Sequence, residues 1–305
     1  MSDTDEVVIT VEDRTAPEPD VVPLPAVTGQ CSATISSAPI ATDNCAGTVI
    51  GTTTDPLTYT DQGTYTVTWT YDDGNENVST QTQTVIVDDT EAPLIVAPSD
   101  VTEEQTNRDG TSVDLGLPQV NDNCDASPVV TNNAPVVFPL GETIVTWTAT
   151  DYAGNQATAP QLVTIVDTTQ PELSIAPSVT TLWPVNHKYV TVSVSITASD
   201  ICDADVGSKV QLVSVTSDEP EDIIGRGNKK DGGDGNTMQD IVIVDNTTVK
   251  LRAERAAGAD GRVYTLNYSV TDASGNTTTA SATVTVVHNP GEPAVDSGVQ
   301  YVVTP

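Results

Sequence analysis

The chain has 305 residues and a formal net charge of −32, from 43 acidic and 11 basic side chains. So few cations exclude nucleic acid as a general partner, because phosphate binding needs clustered Lys and Arg, and they disfavour anionic membrane surfaces. No apolar run approaches the ~20 residues of a membrane span, and the acidic Met1–Thr10 lacks the apolar core of a secretory leader.

In chain order, Glu6–Glu12 reads first as a strand without a domain of its own, with Val7, Ile9 and Val11 on one face. Three rounds of shared phrases follow. EDRTAP from Glu12 is echoed by DDTEAP from Asp88 and DTTQP from Asp167. TDNC at Thr42–Cys45 is echoed by NDNC at Asn121–Cys124 and SDIC at Ser199–Cys202, with cysteine spacings of 79 and 78. A Thr-rich strand then carries an aromatic, an Asp four residues on and an Asn four after that. The sets are Trp69, Asp73, Asn77; Trp147, Asp151, Asn155; and Tyr268, Asp272, Asn276.

Period-two alternation predicts strands over Gly63–Tyr71, Thr143–Asp151 and Val263–Asp272, each followed by another (Gln81–Val87, Gln161–Val166, Ala280–Val287). No stretch has a helical period. Short strands with turn signals every 8–12 residues predict an all-β chain of tandem immunoglobulin-like β-sandwiches. The expected organisation is a terminal strand (1–13), three domains (14–89, 90–168, 169–288) and a tail (289–305) with an extra strand at Val299–Thr304. The third domain is enlarged by an insertion between Cys202 and Tyr268, and nine of the 11 basic residues lie from Lys188 onward. Short, Pro-stiffened connections at Pro17, Pro93 and Pro171 predict a rod on the order of 100 Å long.

With these phrases in hand, the chain resembles the HYR (hyalin repeat) modules and related immunoglobulin-like repeats of bacterial surface proteins. The resemblance rests on Ala16-Pro17 and Ala92-Pro93, the DNC loops and the stretch Val137–Thr158. It departs at Ile201, at Gln170 and in the insertion. It implies an extracellular adhesive or structural role.

In such a sandwich the loop after the second strand and the loop before the last strand lie at the end where the chain comes in. Acidic segments should therefore converge three times. The first set is Glu12, Asp13, Asp43, Asn44, Asp72, Asp73 and Asn77. The second is Asp88, Asp89, Glu91, Asp122, Asn123, Asp151 and Asn155, with Asp125 close by. The third is Asp167, Asp200, Asp272 and Asn276, with Asp203 close by. Converging carboxylates repel unless a cation neutralises them, and an oxygen-only set of Asp and Asn is the ligand set of Ca²⁺. The arrangement looks like a cadherin junction, where calcium stiffens acidic linkers. The plainer alternative is that these residues only make turns. A further Gly/Asp loop, Lys229–Asp240, offers Asp231, Asp234, Asn236 and Asp240.

Cys31 and Cys45 lie within one repeat and are expected to form a disulfide, leaving Cys124 and Cys202 reduced. No HExxH, GxSxG or phosphate-loop motif is present. The reading is a non-enzymatic, calcium-rigidified segment of an extracellular stalk, fibre or biofilm matrix. Two readings of its terminal strands stay open: remnants of neighbouring repeats in a longer array, or donor strands that add to a second copy by β-augmentation and so build filaments. Two alternatives stay open: an adhesin whose third domain binds a glycan or protein ligand, and accessory modules of a large secreted enzyme.

Overall fold

The computed structural model describes residues 5–221, 237–256, 260–289 and 291–305. Among them every regular element is a strand except one 3₁₀ turn, Val206–Lys209. By packing the chain divides into two compact units, Met1–Asp100 with Leu115–Ala134 and Ile144–Leu162, and Val101–Asp114 with Pro135–Thr143 and Val163–Pro305.

In the first unit the alternation seen in the sequence becomes the hairpin Gly63–Asp72/Val78–Val87, paired from Gly63↔Val87 to Asp72↔Val78. Val67, Trp69 and Tyr71 point inward and are fully or almost fully buried, while threonines take the other face. Val27–Gly29 joins this hairpin in parallel with Val85–Val87. A second sheet, Glu18–Pro19, Ile40–Asp43 and Gly47–Ile50, contributes Ala41 and Val49 to the same core. The Trp69 indole would leave a buried N–H without a partner. Gln83 solves this: its Oε1 accepts the indole N–H at 3.1 Å and its Nε2 donates to the Pro25 carbonyl at 3.0 Å. One repeat later, Trp147 uses Gln161 in the same way at 3.0 Å, and Gln161 donates to the carbonyl of Ser99 at 2.8 Å. Both tryptophans are therefore buried anchors of their repeats.

The second unit contains two larger sheets. One orders Glu172–Pro177, Tyr189–Ser199, Thr248–Arg252 and Ile241–Asp245; the other orders Thr181–Leu182, Thr277–Val286, Arg262–Thr271, Gln211–Ser217 and Tyr301–Val303. Their inner faces share one core that includes Val192, Val215, Leu251, Leu266 and Val284. The stretch between Cys202 and Tyr268 supplies Gln211–Ser217, Ile241–Asp245 and Thr248–Arg252.

At one end of this core lies a polar network. Arg262, fully buried, donates from Nε to Glu219 at 2.9 Å and from Nη1 to Asp240 at 2.7 Å, with the buried Glu254 4.0 Å away. Arg252 approaches Asp240 and Glu254 at 3.4 and 3.5 Å. Burial pushes the Glu219 carboxyl up from its ordinary value, against the pull of Arg262. The basic residues late in the chain thus serve, in part, to neutralise buried acids.

The two ends behave differently from each other. Tyr301–Val303 pairs antiparallel with Ser217–Val215 of its own unit, so it is not a free donor strand. Residues 5–17 form no strand, and Val7, Val8, Ile9 and Val11 are all more than four-fifths exposed.

Candidate metal centres

Each centre starts from a short loop whose aspartate folds the backbone around itself. Asp43 Oδ1 accepts the N–H groups of Cys45 and Ala46 at 2.7 and 2.8 Å. Asp122 Oδ1 accepts those of Cys124 and Asp125 at 2.9 and 2.8 Å, and Asp200 Oδ1 those of Cys202 and Asp203, both at 2.8 Å. One oxygen is thereby committed to the turn. The other, Oδ2, is buried and has no hydrogen-bond partner in any of the three. A buried acceptor left unpaired costs about 1–3 kcal/mol, more if charged, so three equivalent orphans call for a ligand.

The Asp-x-x-x-Asn loops supply the next wall. In each, a glycine at positive φ (Gly74, Gly154, Gly275) makes the turn, with open space where its Cβ would be. Only the backbone conformation requires glycine there. The Asn then ties two segments together. Asn77 Nδ2 donates to Asp73 Oδ2 at 2.8 Å and to the Asp13 carbonyl at 3.2 Å. Asn155 does so to Asp151 Oδ2 and the Asp89 carbonyl, both at 2.9 Å. Asn276 does so to Asp272 Oδ2 at 2.9 Å and the Asp167 carbonyl at 3.1 Å.

The outcome is three clusters, in each of which the ligand atoms lie within 4.8 Å of one another: Asp13, Asp43 and Cys45; Asp89, Asp122 and Asp151; Asp167, Asp200 and Cys202. Asp73 flanks the first closely enough to act on the Cys45 thiol, and Asp272 flanks the third in the same way. Burial, then the surrounding aspartates, raises the Cys45 thiol and pushes that of Cys202 up to about 11. The Asn77 amide holds Asp73 below the usual carboxylate range. Burial opposes ionisation of Asp151 and Asp272, but their Asn and backbone donors outweigh it and lower both.

The sign of the pH effect follows. A carboxylate whose folded pKa is depressed adds stability that is present above its unfolded value, near 3.9, and is lost as pH falls through the folded one. Melting temperatures measured without added cation from pH 5 to 2 should therefore fall at the acid end. The slope should flatten in Asn77→Ala, Asn155→Ala and Asn276→Ala chains; an unchanged slope would refute the role given to these amides.

The other expected ligands are engaged elsewhere or exposed. Glu12 pairs with Arg14 at 2.6 Å on the surface, and Asp72 caps the turn at Gly74. Asn44 and Asp88 are exposed. Glu91 accepts from Gln30 at 3.3 Å, and Asn123 donates to the same Gln30 at 3.0 Å. Asp125 caps Ser127, and Asp203 is neutralised by Lys209. Asp240 is taken by Arg262, while Asp231, Asp234 and Asn236 lie outside the described residues.

The expected Cys31–Cys45 disulfide is corrected: Cys31 bonds to Cys124, 93 residues away, and Cys45 and Cys202 are free. Strand geometry explains the change. Cys31 follows Gly29, which pairs with Val87 at one end of the long hairpin, whereas Cys45 sits beside Asp73 at the other. Ten strand residues separate those ends, roughly 30 Å, far beyond the reach of a disulfide. The parallel pairing of Val27–Gly29, which the sequence reading did not anticipate, is what carries Cys31 toward Cys124.

Comparison with known families bears on the second cluster directly. The HYR domain profile matches residues 88–165, a span that runs from Asp88 through the Asp-x-x-x-Asn loop. Residues 88–165 are thus similar to a HYR domain. The chain is 36% identical over 149 residues to hyalin of Lytechinus variegatus, covering 46% of this chain and 28% of that protein. Hyalin of Strongylocentrotus purpuratus is 33% identical over 146 residues, covering 45% of this chain and 12% of hyalin. The chain thus spans well under a third of these hyalins. Among solved structures, mouse protocadherin-24 EC1-3 aligns over 89% of this chain and 99% of its own, with 13% identity and a TM-score of 0.33. The matched span contributes Asp89, Asp122 and Asp151, and its Cys124 forms the disulfide with Cys31.

Proposed function

We propose that this chain is a non-enzymatic, extracellular structural segment of adhesion type, in which Ca²⁺ at the three acidic clusters fixes each immunoglobulin-like repeat to the segment leading into it. The observation that carries this reading is the threefold orphaned Oδ2 of Asp43, Asp122 and Asp200, buried beside further carboxylates. The donor set of the second cluster is all oxygen, as Ca²⁺ requires, and no His lies in any cluster. The ion would take up Asp89, Asp122 and Asp151, joining the linker, the DNC loop and the last hairpin turn. Repulsion among these groups would then become cohesion. An extracellular setting agrees with the disulfide and with the scarcity of basic residues.

Extracellular calcium modules bind with Kd of ~10⁻⁴–10⁻³ M, so millimolar calcium should add about 0.4–1.4 kcal/mol per site. Chelator should lower the melting temperature of the full chain, and Asp122→Asn should remove the part due to the second cluster. Unchanged melting in chelator, together with no calcium heat by calorimetry, would overturn the proposal.

A further inference from the structure

We propose that the first acidic cluster, because it holds a free thiol, is a mixed thiolate–carboxylate site that favours a thiophilic divalent cation such as Zn²⁺ over Ca²⁺. The three clusters share a backbone plan but not a donor set. In the second, Cys124 is spent on the disulfide, and the three ligand groups are carboxylates. In the first, the free thiol of Cys45 stands with Asp13 and Asp43 inside the 4.8 Å limit. In the third, Cys202 stands likewise with Asp167 and Asp200.

Acids near a thiol do not make a site by themselves. The additional fact is the Asp43 carboxylate, which is 5% exposed and whose Oδ2 is buried with no protein donor. Its other oxygen is fixed by two backbone N–H groups, so the carboxylate cannot turn away to seek water. In the third cluster Asp200 is held the same way, but it is only partly buried, and no site is assigned there.

Ligand softness decides which cation gains most. Calcium takes oxygen only, whereas a thiolate with carboxylates suits Zn²⁺ and its heavier analogue Cd²⁺. Around a tetrahedral Zn²⁺, with S and O at about 2.3 and 2.0–2.2 Å, ligand atoms sit roughly 3.4–3.8 Å apart. Atoms already within 4.8 Å need to close by no more than about 1.4 Å. As the metal–sulfur bond forms, the thiol proton leaves to solvent, and no oxidant is needed. Asp73 beside the site completes the negative surroundings.

This assignment does not require that calcium bind, and the two ideas fail separately. Calcium is read at the disulfide-bearing cluster through Asp122→Asn, whereas the probe here is Cd²⁺ added to the full, oxidised, metal-free chain. The expected result, in a Cys202→Ser chain, is an ultraviolet sulfur-to-metal charge-transfer band that saturates at about one ion per chain. Adding Cys45→Ser should remove the band, with the far-ultraviolet circular dichroism the same as that of the Cys202→Ser chain because Cys45 is exposed. Within the Cys202→Ser background, Asp43→Asn should weaken the site at least about tenfold. No band at micromolar Cd²⁺, or one that keeps its affinity after Asp13→Asn and Asp43→Asn together, would overturn the proposal; the latter would mean an isolated thiol binding metal by itself.

Discussion

Reduction of the Cys31–Cys124 bond is expected to destabilise the unit that holds it by about 4.5 kcal/mol. The bond closes a loop with a sequence separation of 93, and in the chain-entropy account a loop of that length restrains the unfolded chain by about this much. Urea melts of oxidised and reduced protein should show the difference, as should a Cys31→Ser/Cys124→Ser chain. The effect should exceed that of any single calcium site, because it acts on the unfolded ensemble rather than on one cluster. Mass spectrometry of a non-reduced digest should recover a Cys31–Cys124 peptide and leave Cys45 and Cys202 alkylated. A Cys31–Cys45 peptide, or a reduced protein as stable as the oxidised one, would refute the assignment.

Arg262→Met is expected to cost about 3–5 kcal/mol, the usual penalty for removing one partner of a buried ion pair. Arg262 is fully buried and bonds Glu219 and Asp240 directly, with Glu254 4.0 Å off. Without it, three buried carboxylates have lost their central counter-charge. Arg252 reaches Asp240 and Glu254 only at 3.4 and 3.5 Å. Arg262→Lys should recover part of the loss, since an ammonium supplies charge but not the planar fork that serves Glu219 and Asp240 together. Lowering pH should also narrow the gap between Arg262→Met and the parent, because protonated acids need no cation. A loss below about 1 kcal/mol, or a gap that widens on acidification, would show that the network is not held by this charge.

The repeats and their strands were legible because period-two alternation writes burial directly into the order of residues. Tyr65, Val67, Trp69 and Tyr71 could face nowhere but inward once the intervening threonines were given to solvent. Asp43, Asp122 and Asp200 were legible for a similar reason: the same loop recurs three times. What escaped the sequence was every interaction set by register between distant strands. Cys31 meets Cys124 only because Gly29 pairs in parallel with Val87, and no local pattern announces a parallel pair. Asp203 and Asp240 were read as acids seeking a metal, yet Lys209 and Arg262 neutralise them. Charge counts cannot tell an acid with a cation beside it from one without. The Asn side chains were anticipated as ligands, but their amide hydrogens instead bind the incoming backbone to the neighbouring Asp.

The disulfide also alters how this chain would carry a mechanical load. A pull applied to its two ends passes along the backbone to Cys31, crosses the sulfurs to Cys124 and continues from there. Residues 32–123 lie outside that path. The backbone of the Gly63–Asp72/Val78–Val87 hairpin, with Trp69 in its core, therefore cannot be drawn out along the chain while the bond is intact. Cutting the bond would bring those residues into the line of force and release a slack of roughly 300 Å of extended chain. Oxidation thus sets the length to which this segment can be drawn out before it must be broken.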